Sequence, residues 1–373
     1  MSRALSFAAA TCAAVLATLA PVSLQQSSAA AEPAHPVAGH TAAHRAADVI
    51  TGHATELYPE GVAWDPTRRA FLVGSASQGN LSVIGQDGSV KELAPSIGKV
   101  STLGIRVDVA RNRILVAYSD FWVRQRLDVG DQPPTSGVAV FALDTGELQR
   151  RIDVAGGRER TFANDLTVDR RGNIYVTDSV YDTVQRIGLD GKVSPVATDP
   201  RFAADIVGLN GIVWHPDGYL LAVRYDTGAM FRITPGAPAD RRVREVRLPK
   251  PLVGTDGLGL RADGSLIVVT NSIGAAVGVP GGVDAVTALD SDDGWRSAEF
   301  TTRVDPWPTN GPTTVAVTPF GDYALSGQVG ELLAGRVSDL ITLRRIPTAA
   351  APSGSPTNSP STPTSPTSEE NDR

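Results

Sequence analysis

Between residues 47 and 347 the hydrophobic positions fall in short β-branched runs, cut by Gly, Asp, Asn and Pro before a helical period can establish itself. One unit recurs: an apolar strand, a tight polar turn, a second apolar strand, then a hairpin. It reads EGVAWDPTRRAFLVGS from Glu60, LGIRVDVARNRILVAYS from Leu103, NDLTVDRRGNIYVTDS from Asn164 and NGIVWHPDGYLLAVRY from Asn210. The remaining copies are DGLGLRADGSLIVVTNS from Asp256 and TTVAVTPFGDYALSG from Thr313. Each continues into two further strand-like pieces, such as TVQRIGLD and KVSPVAT after Asp182. Six copies of a four-stranded unit, none able to bury both faces alone, predict an all-β chain folded as a six-bladed β-propeller. A β-sandwich would not repeat one motif six times. Blade six can supply four strands of its own, with residues 47–57 adding or replacing an outer one.

The two ends of the chain have a different pattern. Arg3 precedes the small apolar run Ala4 to Ala20, and Ala29-Ala30-Ala31 follows a polar stretch. This predicts a signal peptide over 1–31, cut after Ala31, and an extracellular protein. An uncleaved membrane anchor fits less well, because the run is Ala-rich and lacks flanking charge on its far side. Residues 32–46 read as a flexible segment, and 348–373 as a disordered Ser/Thr/Pro-rich tail. Cys12, the single cysteine, lies within the expected leader. The mature chain would then have no disulfide, thiolate ligand or cysteine nucleophile. A formal charge of −6 without a Lys/Arg cluster argues against nucleic acid or an anionic membrane as partner. A small molecule acting on a monomer is expected instead.

Aligning the copies on their first turns (Asp65, Asp108, Asp169, His215, Arg261 and Thr318) brings Glu60, Leu103, Asn164, Asn210, Asp256 and Thr313 into one register. These positions open the innermost strands and should point toward the axis. Singly, Asn and Asp before Gly are ordinary turn formers, and a Glu at a strand end is usually solvated. Together, two carboxylates and two amides on a narrow channel suit a hard cation. Calcium fits better than magnesium, which demands stricter geometry, or zinc, which prefers nitrogen and sulfur. The two longest insertions, Ser119 to Gly137 with Phe121, Trp122, Arg124 and Arg126, and Ile273 to Asp284, fall in loops returning to that end. Asp178, Arg224, Tyr225 and Asn271 are expected to rim the same mouth.

The same residues resemble the regucalcin/gluconolactonase family. Pro59-Glu60-Gly61-Val62-Ala63-Trp64 is similar to its E-G-x-x-W opening, and Phe162-Ala163-Asn164-Asp165 to its N-D segment. Asn210-Gly211 and Asp256-Gly257 are similar to its N-G and D-G pairs. The resemblance implies a calcium-dependent lactonase in which Glu60, Asn210 and Asp256 hold the metal and Asn164 serves as a further ligand or substrate donor. It makes Asp256 the acid/base that takes a proton from water and returns it to the leaving alkoxide. Trp122, Asp178, Arg224 and Tyr225 would contact the substrate. Where sugar lactonases of the family often carry Arg, this chain has Phe162, which opens the alternative of a more apolar lactone or ester.

Other hydrolytic designs fit the sequence poorly. His53 and His215 lack a nucleophile context for a Ser-His-Asp triad, and Asp290-Ser291-Asp292-Asp293-Gly294 lacks the closing Glu of a calcium-binding EF-hand. Two other classes stay open: a non-enzymatic binding propeller of the NHL type, and a propeller enzyme of the strictosidine-synthase type.

Overall fold

The computed structural model describes residues 46–279 and 281–347. The expected leader, the 32–46 segment except Ala46, and the 348–373 tail lie outside the described residues. Six four-stranded antiparallel sheets form the ring, each running in sequence order from the axis outward, and they make the expected six-bladed β-propeller. The last blade is the exception in connectivity. Its own chain supplies Thr314–Ala316, Tyr323–Ser326 and Leu340–Arg345, and the first described strand, Val49–His53, pairs with Leu340–Arg345 as its outermost member. The N-terminal strand therefore replaces an outer strand and ties the two ends of the ring together.

Each second strand lies between two neighbouring blades, which is why it reads as an unbroken apolar run. In Arg113–Ser119, Ile114, Val116 and Tyr118 pack toward blade one, while Leu115 and Ala117 pack toward blade three. In Tyr219–Arg224 the alternation repeats, with Leu221 and Val223 on one side and Leu220 and Ala222 on the other. Period-two alternation thus sends every apolar side chain into one of two interfaces. Six apolar clusters fill the six gaps between blades, including one between the first and last blades. Among the described residues no helix is long and apolar enough to cross a membrane.

Candidate metal centre and its pocket

The innermost strands do not run straight into the channel. In blades two to five the pairing slips at one place: between Thr102 and Ile105, Ala163 and Leu166, Leu209 and Ile212, and Thr255 and Leu258. Each slip is a β-bulge enclosing Leu103, Asn164, Asn210 or Asp256 with the residue that follows it. A bulge bends the strand and re-aims its side chains, so these positions turn toward the axis. The glycines after them are required by close approach. A Cβ at Gly61 would collide with the Leu103 carbonyl, and one at Gly211 with the Asp256 carbonyl. Blade three carries Asp165 there, in the space left by the missing side chain of Gly104.

Glu60, Asn164, Asn210, Asp256 and Thr313 all line one pocket of about 530 Å³, counting space open to solvent at its mouth. Asn164, Asn210 and Asp256 are buried. Two oxygens on this floor are buried without a hydrogen-bond partner among the described residues, Glu60 Oε2 and Asn164 Oδ1. Such groups are rare because desolvation goes uncompensated. The orientation of Asn164 is explained: its Nδ2 donates to Ser179 Oγ at 3.0 Å, which leaves Oδ1 unpaired. Asp256 is fixed by Asn271, whose Nδ2 donates to its Oδ2 at 2.7 Å.

The electrostatics follow from burial. Glu60 is held well above the usual carboxylate range, first by burial and then by Asp256 and Asp165, with Arg106 pulling the other way. Burial also pushes Asp256 up to about 7, against the Asn271 and Asn210 amides. Under the floor, Arg106 Nη2 lies 3.3 Å from Asp165 Oδ2 and donates to the Ile212 carbonyl at 3.2 Å. Three carboxylates against one guanidinium leave two negative charges when all are ionised, which one divalent cation would neutralise. No group of three or more His, Cys, Asp or Glu side chains is placed to hold a metal among the described residues. The donors are instead two carboxylates and two amides. Their oxygen chemistry, with two oxygens orphaned, fits a hard cation such as calcium.

The ends of the second strands form the next tier, and alternation decides which of their residues take part. Ser179, Tyr225 and Asn271 each follow the residue paired with the one that precedes the bulge, and they face the site. Tyr225 and Asn271 line the pocket. The Tyr225 hydroxyl donates to Asn271 Oδ1 at 2.7 Å and accepts from Gly274 N–H at 2.7 Å, linking the second insertion to Asp256. Asp178 and Arg224 stand one residue earlier, out of phase, and neither lines the pocket. Asp178 accepts from Phe162 N–H at 3.0 Å and the Thr161 hydroxyl at 2.7 Å. The Arg224 guanidinium is turned to Asp226 Oδ1 at 2.5 Å and the Arg201 carbonyl. Expecting both members of the Arg224-Tyr225 pair at the rim overlooked this period of two.

Both insertions reach the mouth. Trp122, on the helix Phe121–Arg126, and Ile273, Gly274 and Val277 line the pocket. Phe162 stacks on Phe121 at 4.8 Å, and Trp122 meets both rings edge-on at 5.1 and 5.7 Å. With Leu103, Val207 and Tyr225 they form an apolar cluster at the channel mouth, separate from the six between blades. Sequence reasoning missed Ser179, which orients Asn164, and the Arg106–Asp165 pair. Arg106 was visible as the one charge at a position where the other blades carry Ala63, Thr167, Val213, Gly259 and Ala316.

A propeller with an oxygen-lined channel mouth defines a class, and comparison with known proteins narrows it. Residues 58–288 match the model of the SMP-30/Gluconolactonase/LRE-like region, and the chain belongs to that family. No curated protein matches the sequence. Among solved structures, the chain is similar to the major Malassezia sympodialis allergen Mala s 1, with a TM-score of 0.63 and 18% identity over 80% of this chain and 96% of that one. A luciferin-regenerating enzyme aligns with a TM-score of 0.54 and 13% identity over 79% of this chain and 95% of that one. A protein described as a candidate gluconolactonase aligns with a TM-score of 0.53 and 15% identity over 81% and 95%. At these identities the structural likeness speaks for the fold.

Proposed function

We propose that this chain is a divalent-cation-dependent lactonase-type hydrolase, with calcium the cation its donors suit best. The observation that carries the reading is the pair of buried, unpartnered oxygens, Glu60 Oε2 and Asn164 Oδ1, in a pocket shared with Asn210 and Asp256. Membership of a family named for gluconolactonase supports the reaction class. Glu60, Asn164, Asn210 and Asp256 would hold the cation, which when bound supplies Lewis-acid polarisation of an ester carbonyl. The chain's own contribution is orientation and proton transfer. Asn271 locks the Asp256 carboxylate through Oδ2, and Tyr225 and Gly274 lock Asn271 in turn. Asp256 takes a proton from the attacking water as the bond from water oxygen to carbonyl carbon forms. The ring C–O bond breaks, and the proton passes to the alkoxide, giving a hydroxy acid.

Thermal unfolding in EDTA and then in calcium, beside Asp256→Ala, tests the site. A cation at one hundred times its Kd adds roughly 2.7 kcal/mol, so the wild type should melt several degrees higher and the variant should not respond. An unmoved wild type across divalent cations would overturn the metal site and favour a binding propeller. From the leader-like pattern of residues 1–31 we also propose that the mature chain lies outside the cell. Sequencing the N-terminus of secreted protein should give Glu32 first, and an intact Met1 would refute export by cleavage.

A further inference from the structure

The pocket has few unspent polar groups above its floor. The Tyr225 hydroxyl donates to Asn271 and accepts from Gly274, and the Thr313 hydroxyl donates to the Glu60 carbonyl at 2.7 Å. Asn271 Nδ2 serves Asp256 and the Pro312 carbonyl, and Asn164 Nδ2 serves Ser179. Among the described residues no Lys or Arg lines the pocket. The arginines of the first insertion are already engaged: Arg124 by the Asp120 carboxylate at 2.7 Å and the Gln132 and Pro133 carbonyls, Arg126 by the Trp122 and Ala76 carbonyls. Above the floor the wall is Leu103, Trp122, Phe162, Val207, Ile273 and Val277. Phe162 is rigidly placed, because Asp178 accepts its backbone N–H and Phe121 stacks on its ring.

We infer that, within the lactonase reading on which this rests, the substrate is a lactone bearing an alkyl or aryl substituent, without an anionic group and without a set of ring hydroxyls. A lactone carbonyl at the floor would meet the cation that Glu60 and Asn164 hold in that reading, while the substituent lies against Trp122 and Phe162. Hydroxyls of a sugar lactone would lose water to a wall that offers them no partner, and such uncompensated burial is what polar specificity penalises. A carboxylate or phosphate on the substituent would lie against the apolar wall, where no Lys or Arg among the described residues is placed to pair with it.

The test is proton release from δ-decanolactone and from glucono-δ-lactone by the calcium-loaded full chain, wild type and Trp122→Ala, with Phe162→Arg alongside. The wild type should favour the alkyl lactone by at least 100-fold in kcat/KM. Trp122→Ala should cut that ratio at least tenfold, and circular dichroism checks that each variant is folded. Trp122 sits on a surface helix, so its truncation keeps the test alive if Phe162→Arg does not fold. Equal or better turnover of the sugar lactone overturns the inference. If neither is hydrolysed, calorimetry with δ-decanolactam and gluconolactam decides. Binding of the alkyl lactam alone keeps the ligand class and sinks the hydrolytic reading. Binding of the sugar lactam, or of neither, overturns the ligand class itself.

Discussion

The innermost strands carry buried acidic side chains near both ends, and the two ends treat them in opposite ways. At the first turns, Asp65 accepts from Thr67 and Arg68, Asp108 from Arg111 and Arg113, and Asp169 from Asn173 and Tyr175. There each carboxylate is surrounded by local donors within a few residues of sequence. At the channel mouth, Glu60 has a buried oxygen with no donor, and Asp256 leans on an amide from another strand. The titration behaviour separates them as well. For Asp65, burial is outweighed by hydrogen bonds from Thr67 and Arg68, and the group sits below its usual value. For Glu60 and Asp256 burial wins. A carboxylate that the fold satisfies belongs to the scaffold, whereas one left unsatisfied at the axis is held for something else.

The largest effect that would break this contrast lies at Asp256. Asp256→Asn keeps the size of the side chain and removes both its charge and its capacity to take a proton. Turnover of any lactone substrate should fall by roughly 10²–10⁴, measured as kcat/KM with the fold checked by circular dichroism. Activity within a factor of a few of wild type would remove Asp256 from the chemistry.

Glu60→Gln gives the next largest effect, and its sign is diagnostic. In EDTA the variant should melt at or above the wild type, because a neutral amide replaces a carboxyl that burial, Asp256 and Asp165 all disfavour when ionised. In calcium the order should reverse, with the variant missing a rise of roughly 5 °C. A variant that is less stable in EDTA and still gains from calcium would mean that Glu60 is scaffold like Asp65.

The two ends should also answer to different pH windows. Asp256 is raised to about 7, so between the unfolded value near ~3.9 and 7 the folded chain holds a proton that the unfolded chain has released. Stability in EDTA should therefore fall as pH rises from 5 to 8. Calcium should cancel that slope, since it favours the ionised form. Asp65 has the opposite sign: its contribution is present above the unfolded value and is lost as pH falls through its lowered folded value. Melting temperature against pH, with and without calcium, checks both. A flat EDTA profile between pH 5 and 8 would contradict the burial of Glu60 and Asp256.

The fold was legible because each blade repeats its own punctuation, and the floor residues because one register carries them. What stayed hidden has a physical cause in each case. Sequence alignment placed Glu60, Asn164, Asn210 and Asp256 together but could not reveal the bulge that turns three of them inward, since a bulge is a feature of pairing. It could not tell Tyr225 from Arg224, because the phase of a strand's end is set by its partner. Ser179 looked like any loop serine until Asn164 was seen to need a donor-fixing partner. Closure by the strand Val49–His53 was one of two arrangements that the apolar pattern allowed, and the pairing with Leu340–Arg345 selected it.

Asp65→Asn, with the smallest effect, sharpens the comparison most cleanly. The Asp65 carboxylate bonds Thr67 N–H at 2.8 Å, the Thr67 hydroxyl at 2.6 Å and Arg68 Nη1 at 2.6 Å, while Arg68 Nη2 reaches the Asp144 carbonyl in blade two. Replacing one oxygen by a donor leaves Arg68 without its anion and sets two donors facing each other. Losing one such bond in a buried place costs about 1–3 kcal/mol, so melting should fall by roughly 2–8 °C. The fall should be the same in EDTA and in calcium, because Asp65 stands at the far end of its strand from Glu60. Measured as a pair, Asp65→Asn and Glu60→Gln should move EDTA stability in opposite directions although both neutralise a carboxylate of the same blade. Asp65 is held by local donors whereas Glu60 faces burial and the Asp256 and Asp165 carboxylates, so equal signs would remove the distinction between satisfied and reserved acids in this propeller.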